Sequence, residues 1–203
     1  MTNIDNSEKK KIDQFNFLMD GKTQESDKNY KEAIDDYTKA IGIDPDSAIA
    51  YLCRGRSRTV LKQYQEAIQD FTKSIEIDPN FVNAYLYRGI LRMDLKQYQE
   101  AIEDFTKVIQ LDHNDLAGAY YYRGILRKDL KQYQEAQKDF TKLKELVQYQ
   151  DAIDDLSKLL ETYPNDINCL LLRASAKRKL GDIEGADEDD KKADQLKKYG
   201  EKV

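Results

Sequence analysis

Histidine is almost missing from this sequence, with His113 its one representative. General acid–base chemistry and activated nucleophiles usually need an imidazole or a substitute held in a pocket. His113 falls in a loop after a helical stretch and reads as a loop residue. The chain has only two cysteines, Cys53 and Cys169, far apart and inside helical pattern, so neither a disulfide framework nor a zinc site is indicated. They read as packing residues in a reducing compartment. No Gly-x-Gly-x-x-Gly and no Walker-type loop occurs. The adjacent acids Asp35-Asp36 and Asp154-Asp155 point to different helix faces and do not form a catalytic pair. No catalytic residue, metal set or cofactor is expected.

Long apolar runs are also missing. No stretch of 18 apolar residues exists, and the start of the chain has no apolar core of a secretory signal. A cytoplasmic protein with no membrane span is expected. The net charge is −5, with basic residues scattered among acids, which argues against a nucleic-acid surface. With 3 Pro and 9 Gly, long structureless linkers are not expected.

Internal repetition is what the chain does have. Lys62-Gln-Tyr-Gln-Glu-Ala-Ile68 returns at 96–102 and, nearly unchanged, at 131–137. Gly21, Gly55 and Gly89 recur every 34 residues, and Gly124 follows after 35. Ala33, Ala67, Ala101 and Ala136 keep the same step. Each unit carries two helical stripes. In the second unit Tyr51, Gly55 and Arg58 mark one helix, and Ala67, Phe71, Ser74 and Ile75 mark the next. Lys62-Gln63-Tyr64 joins them, and Asp78-Pro79 ends the second. Small residues at Gly55 and Ala67 let the two helices approach closely.

Aromatic-x-x-x-Gly, then Ala-x-x-x-Phe, then Pro, on this period, resembles the tetratricopeptide repeat. The residues are Phe17, Gly21, Ala33, Tyr37 and Pro45 in the first unit, and Tyr51, Gly55, Ala67, Phe71 and Pro79 in the second. Tyr85, Gly89, Ala101 and Phe105 carry the third, with His113 in place of Pro. Tyr120, Gly124, Ala136 and Phe140 carry the fourth. Leu170, Ala174 and Ala186 carry a last unit, with Asp190 replacing the aromatic. The resemblance covers residues 14 to 200. It implies an all-α superhelical solenoid of antiparallel helix pairs. Repeats are expected at 14–47, 48–81, 82–116 and 117–148, with a half repeat at 149–166 and a capping repeat at 167–200. Residues 1–13 read as a polar, frayed segment.

The register breaks near 141–150. Gln148-Tyr-Gln-Asp-Ala-Ile153 looks like a second-helix start, yet it follows the previous one without a first helix between. Neither Pro nor Gly occurs between Gly124 and Pro164. Two readings stand. A turn near Gln148, favoured by analogy with Gln63-Tyr64, would separate two helices. Alternatively one helix spans about 134 to 162, about 43 Å long, and carries the last unit away to pack on another copy, giving a homodimer.

Polar residues recur as well. Arg54, Arg88, Arg123 and Arg173 precede the small residue of each first helix. Asp70, Asp104, Asp139 and Asp189 precede the aromatic site of each second helix. Paired helices would bring each Arg to its Asp as a partly buried structural ladder, which fixes register more than it adds stability. The first unit breaks the pattern with Asp20 facing Asp36, and should be the loosest.

In the family that these repeats resemble, first helices line a concave groove that holds a peptide or helix. Mapped here, the lining comprises Phe15, Leu18, Lys22 and Glu25, then Ile49, Leu52, Arg56 and Thr59. Asn83, Leu86, Ile90 and Met93 follow, then Gly118, Tyr121, Ile125 and Lys128. Contiguous apolar surface of this kind marks an interaction site, unless these side chains pack on a neighbouring helix of the same chain or on a second copy. Some relatives clamp chaperone C-terminal carboxylates with a Lys–Asn–Asn–Lys–Arg set. Here Leu18, Lys22, Cys53, Asn83 and Tyr87 hold those places, so no such clamp is expected. The resulting expectation is a non-enzymatic scaffold or adaptor for a protein or peptide partner. A self-associating structural protein and a chaperone for secreted substrates are the alternatives.

Overall fold

Residues 6–111, 116–162 and 164–200 are described in the computed structural model, and His113 lies outside them. All regular structure among the described residues is helical. The helices are α1 (Asn6–Ser26), α2 (Tyr30–Ile43), α3 (Ala48–Val60), α4 (Tyr64–Ile77) and α5 (Val82–Asp94), followed by α6 (Tyr98–Leu111), α7 (Leu116–Asp129), α8 (Tyr133–Thr162), α9 (Ile167–Leu180) and α10 (Ile183–Gly200). They form two compact units, 1–108 and 109–203.

Within the first unit α1 packs on α2 and α3 on α4, and Arg88 of α5 binds Asp104 of α6. The small residues decide how close each pair comes. A Cβ on Gly55 would lie 2.7 Å from the Phe71 ring, and one on Gly21 would lie 2.6 Å from Tyr37. Opposite these glycines the second helix buries Ala33, Tyr37 and Ala40, or Ala67, Phe71 and Ser74. A core of Leu52, Ala67, Phe71, Ala84 and Leu91 joins the second repeat to the third. In the second unit α7 pairs with the first half of α8 through Gly124 and Phe140, and α9 pairs with α10.

The turn inside each pair has one recipe. Lys28, Lys62, Lys96 and Lys131 adopt φ of 63°, 61°, 61° and 61°. The lysine and the residue after it donate their N–H groups to the last turn, Lys62 to Thr59 at 3.0 Å and Gln63 to Arg58 at 2.9 Å. Gly181, with φ of 90°, plays this part between α9 and α10. A left-handed residue of this kind is a common helix stop.

The turn expected near Gln148 does not form, and α8 runs unbroken for 30 residues. Val147 stands before Gln148, where the other repeats have lysine or glycine. A β-branched residue strongly disfavours positive φ, so the stop signal is missing and the helix continues. The chain start also differs from expectation. α1 begins at Asn6, because nothing in 6–13 breaks a helix and Gln14 anchors it with a 2.8 Å bond from Nε2 to Asp44.

Candidate functional site

The Arg and Asp residues predicted to pair lie on facing helices. Arg54 donates from Nη2 to Asp70 Oδ1 at 2.7 Å and from Nε to Oδ2 at 3.1 Å. Arg88 holds Asp104, Arg123 holds Asp139 and Arg173 holds Asp189 in the same fork. Two further partners go beyond the predicted pairs. A second cation one turn on closes each site: Arg58, Arg92, Arg127 and Lys177 lie 2.6, 2.6, 2.7 and 3.0 Å from the carboxylates. The remaining guanidinium nitrogen reaches the preceding second helix, Arg54 to Thr38, Arg88 to Thr72 and Arg173 to Ser157. Each of these three arginines therefore fastens three helices. A sequence signal exists for this: the hydroxyls sit two residues after each Asp position.

Burial would raise the Asp189 carboxyl, but hydrogen bonds from Arg173 and Lys177 outweigh it and leave the pKa lowered. The first repeat has no fork. Asp20 is exposed, and Asp36 is bridged by Lys39 of its own helix at 2.8 Å. Tyr37 takes the place that phenylalanine holds at 71 and 105. Its hydroxyl is buried without a hydrogen-bond partner. Burial, with Cys53 and Glu25 nearby, pushes its pKa far above the usual tyrosine range. Burial likewise raises the Cys53 thiol, so this cysteine is a core residue.

In the first unit a cavity of about 280 Å³ opens on the face carried by first helices. Arg56, Thr59 and Val60 of α3 and Tyr87, Ile90 and Asp94 of α5 surround it, with Glu25 and Tyr30 at one end. Its floor is Phe71 and Leu91. The Arg56 guanidinium lies 5.2 Å from the Tyr87 ring centre, and Phe71 stacks on Tyr87 at 6.2 Å. Glu25 accepts a 2.7 Å bond from Ser57. An apolar floor with a cation and carboxylates at the rim suits an apolar side chain flanked by polar backbone or charge.

The predicted lining divides by burial. Arg56 and Ile90 border the cavity, with Glu25 and Thr59. Lys22, Ile49 and Asn83 are exposed, whereas Leu18, Leu86 and Met93 are half-buried. Leu52 is only 3% exposed and belongs to the core, so it drops out of the lining. Position alone could not separate it from Leu86, because both lie one turn after a surface residue. In the second unit Tyr121 and Lys128 are exposed and Ile125 is half-buried on α7. No group of acidic, histidine or cysteine side chains among the described residues is arranged to hold a metal. No helix among them is long and apolar enough to cross a membrane.

Comparison with known proteins places this geometry in a family. The tetratricopeptide-repeat profile matches residues 48–81 and 82–115, and a second profile of the same description matches 21–47. No curated protein sequence is significantly similar to the chain. Among solved structures, the Arabidopsis OM64 TPR domain is 32% identical, covering 57% of this chain and 95% of that domain, with a TM-score of 0.54. The first TPR of Spaghetti (RPAP3), bound to an HSP90 peptide, is 25% identical over 58% of this chain and 93% of that one, with a TM-score of 0.56. MamA shares the fold over 90% of this chain and 97% of its own, at 21% identity and a TM-score of 0.54. The chain belongs to the tetratricopeptide-repeat proteins.

Proposed function

We propose that this chain is a non-enzymatic protein-interaction scaffold that holds a peptide or helix of a partner against the first-helix face of its N-terminal unit. The observation that carries this reading is the cavity between α3 and α5, with its apolar floor and its rim of Arg56, Glu25 and Asp94. The occupant would insert one apolar side chain and place polar groups beside Arg56. Peptide binding by the RPAP3 repeats, with HSP90 and HSP70 peptides, supports the general mode. It does not extend to the same ligand. Of the clamp positions, only Lys22 offers a suitable cation, while Cys53 is buried and Tyr87 lies under Arg56. A peptide ending in Glu-Glu-Val-Asp should show no saturable binding.

The test is an affinity capture from native lysate, comparing wild type with Arg56→Glu/Ile90→Asp. Circular dichroism verifies that the variant folds. A protein enriched by wild type and lost with the variant supports the site; identical eluates remove it. Self-association through α8 is the second reading, favoured by the continuity of that helix. A monomer mass at every concentration in sedimentation would dispose of it.

A further inference from the structure

The second half of α8 is a second helix without its first. Arg173 of α9 donates to Ser157 at 3.1 Å, as Arg54 does to Thr38 and Arg88 to Thr72, each sixteen residues earlier in the chain. That bond fixes the register independently of the sequence pattern. Ala152, Asp155, Leu156 and Leu159 therefore stand where Ala67, Asp70, Phe71 and Ser74 stand on α4. On α4 those positions are buried by α3, whose Arg54 and Arg58 grip Asp70 and whose Ala48 carbonyl accepts from Ser74.

Among the described residues no such helix covers them on α8. The Asp155 side chain is 78% exposed, against 4%, 3% and 3% for Asp70, Asp104 and Asp139. Its ion pair is a 3.7 Å contact with exposed Lys158 of the same helix. Leu159 is 47% exposed where Ser74 and Val108 are buried. Across the slot, Leu172 of α9 is 60% exposed, whereas Cys53, its counterpart on α3, is 2% exposed. Two leucines and an unclamped carboxylate thus mark an open slot along the line where α8 packs on α9.

We propose that this slot binds a helix of another protein, one that carries an arginine for Asp155, a small residue directly after it and a second cation one turn on. The template is internal to the chain, since Arg54-Gly55 with Arg58 and Arg88-Gly89 with Arg92 fill the same site on α4 and α6. Charge complementarity sets the sign: at this register Asp70, Asp104, Asp139 and Asp189 are each met by two cations of their first helix, and Asp36, whose first helix carries Asp20 instead, is the exception. A second copy of the chain has no such helix to lend. Among the described residues α1, α3, α5, α7 and α9 are each already paired with a second helix of their own.

The experiment uses the full chain and a capped, fluorescently labelled peptide of residues 82–96, which contains Arg88, Gly89 and Arg92. Anisotropy should show saturable binding. Asp155→Lys, a surface change, should weaken it at least about tenfold, the size of a lost charge-assisted hydrogen bond. The peptide carrying Arg88→Glu should lose binding to wild type and regain it on Asp155→Lys. No saturable binding overturns the proposal. So does binding indifferent to Asp155→Lys, since the peptide would then be exchanging with the chain's own α5. A chain that sediments as a dimer without peptide and dissociates on Asp155→Lys would assign the slot to a second copy and overturn it as well.

Discussion

Arg88 and Asp104 meet through two nitrogens and two oxygens, with Nη2 2.7 Å from Oδ1 and Nε 3.1 Å from Oδ2, while Nη1 crosses to Thr72 at 3.0 Å. Asp104 is 2% exposed and also accepts from Arg92. Removing the arginine leaves a buried carboxylate with half its cations. Arg88→Ala should therefore cost about 2–3 kcal/mol, below the full penalty for an unpaired buried charge because Arg92 remains. Thr72→Val should cost about 1.5 kcal/mol, the low end for a hydrogen bond to a charged group, because Arg88 keeps both its bonds to Asp104. Urea unfolding of both variants checks the order.

Two helical glycines should respond in opposite directions to the same substitution. A methyl on Gly55 would sit 2.7 Å from the Phe71 ring, which is packed and unable to move away. Gly55→Ala should destabilise by about 2 kcal/mol through overpacking. A methyl on Gly42 of α2 would meet nothing within 4 Å. Gly42→Ala should stabilise by about 0.5–1 kcal/mol, the helix-propensity difference. Thermal melts of the two proteins bracket the wild type if the packing account holds.

Tyr37→Phe should raise stability by about 1 kcal/mol, because a buried hydroxyl without a partner costs its desolvation. The ring packs as Phe71 and Phe105 do, and Cys53 and Glu25 are the polar groups left beside the lost hydroxyl. A lower midpoint in chemical denaturation would mean that the hydroxyl has a partner in solution.

Gln148→Pro should cost about 3 kcal/mol or more, as proline does inside a helix. At the turns, where Gln63 and Gln132 stand, proline would forfeit one N–H bond, to Arg58 or Arg127, without breaking a continuous helix, and should cost less. Circular dichroism and urea unfolding distinguish the cases.

The Asp189 carboxyl has a lowered pKa in the folded chain. Its contribution to stability is therefore complete above the ordinary aspartate value of 3.8 and is lost as the pH falls through the lower folded value. Amide exchange in α9 and α10 should accelerate below about pH 3.8 more in wild type than in Asp189→Asn. Equal acceleration would assign the acid response to other groups.

Much of this architecture was legible because the repeats report on one another. Gly55 with Phe71, and Arg54 with Asp70, recur in step and can be paired from the sequence alone. The fate of Leu52 could not be read that way, because its position along the helix is compatible with either face. The failure of the turn at Gln148 is written one residue earlier. Val147 replaces the lysine that accepts a left-handed backbone, and the Gln-Tyr-Gln match to the other turns masks the change. The hydroxyl partners Thr38, Thr72 and Ser157 were hidden by their ordinariness, since threonine and serine suit many exposed sites.

The unbroken α8 also sets how the chain would yield to force. A 14-residue helix such as α4 is about 21 Å long and lengthens to about 48 Å when pulled straight. The 30 residues of α8 would go from about 45 Å to about 100 Å. Stretched from its ends in an optical trap, the chain should release most repeats in short steps and give one long step where a single rod replaces two helices.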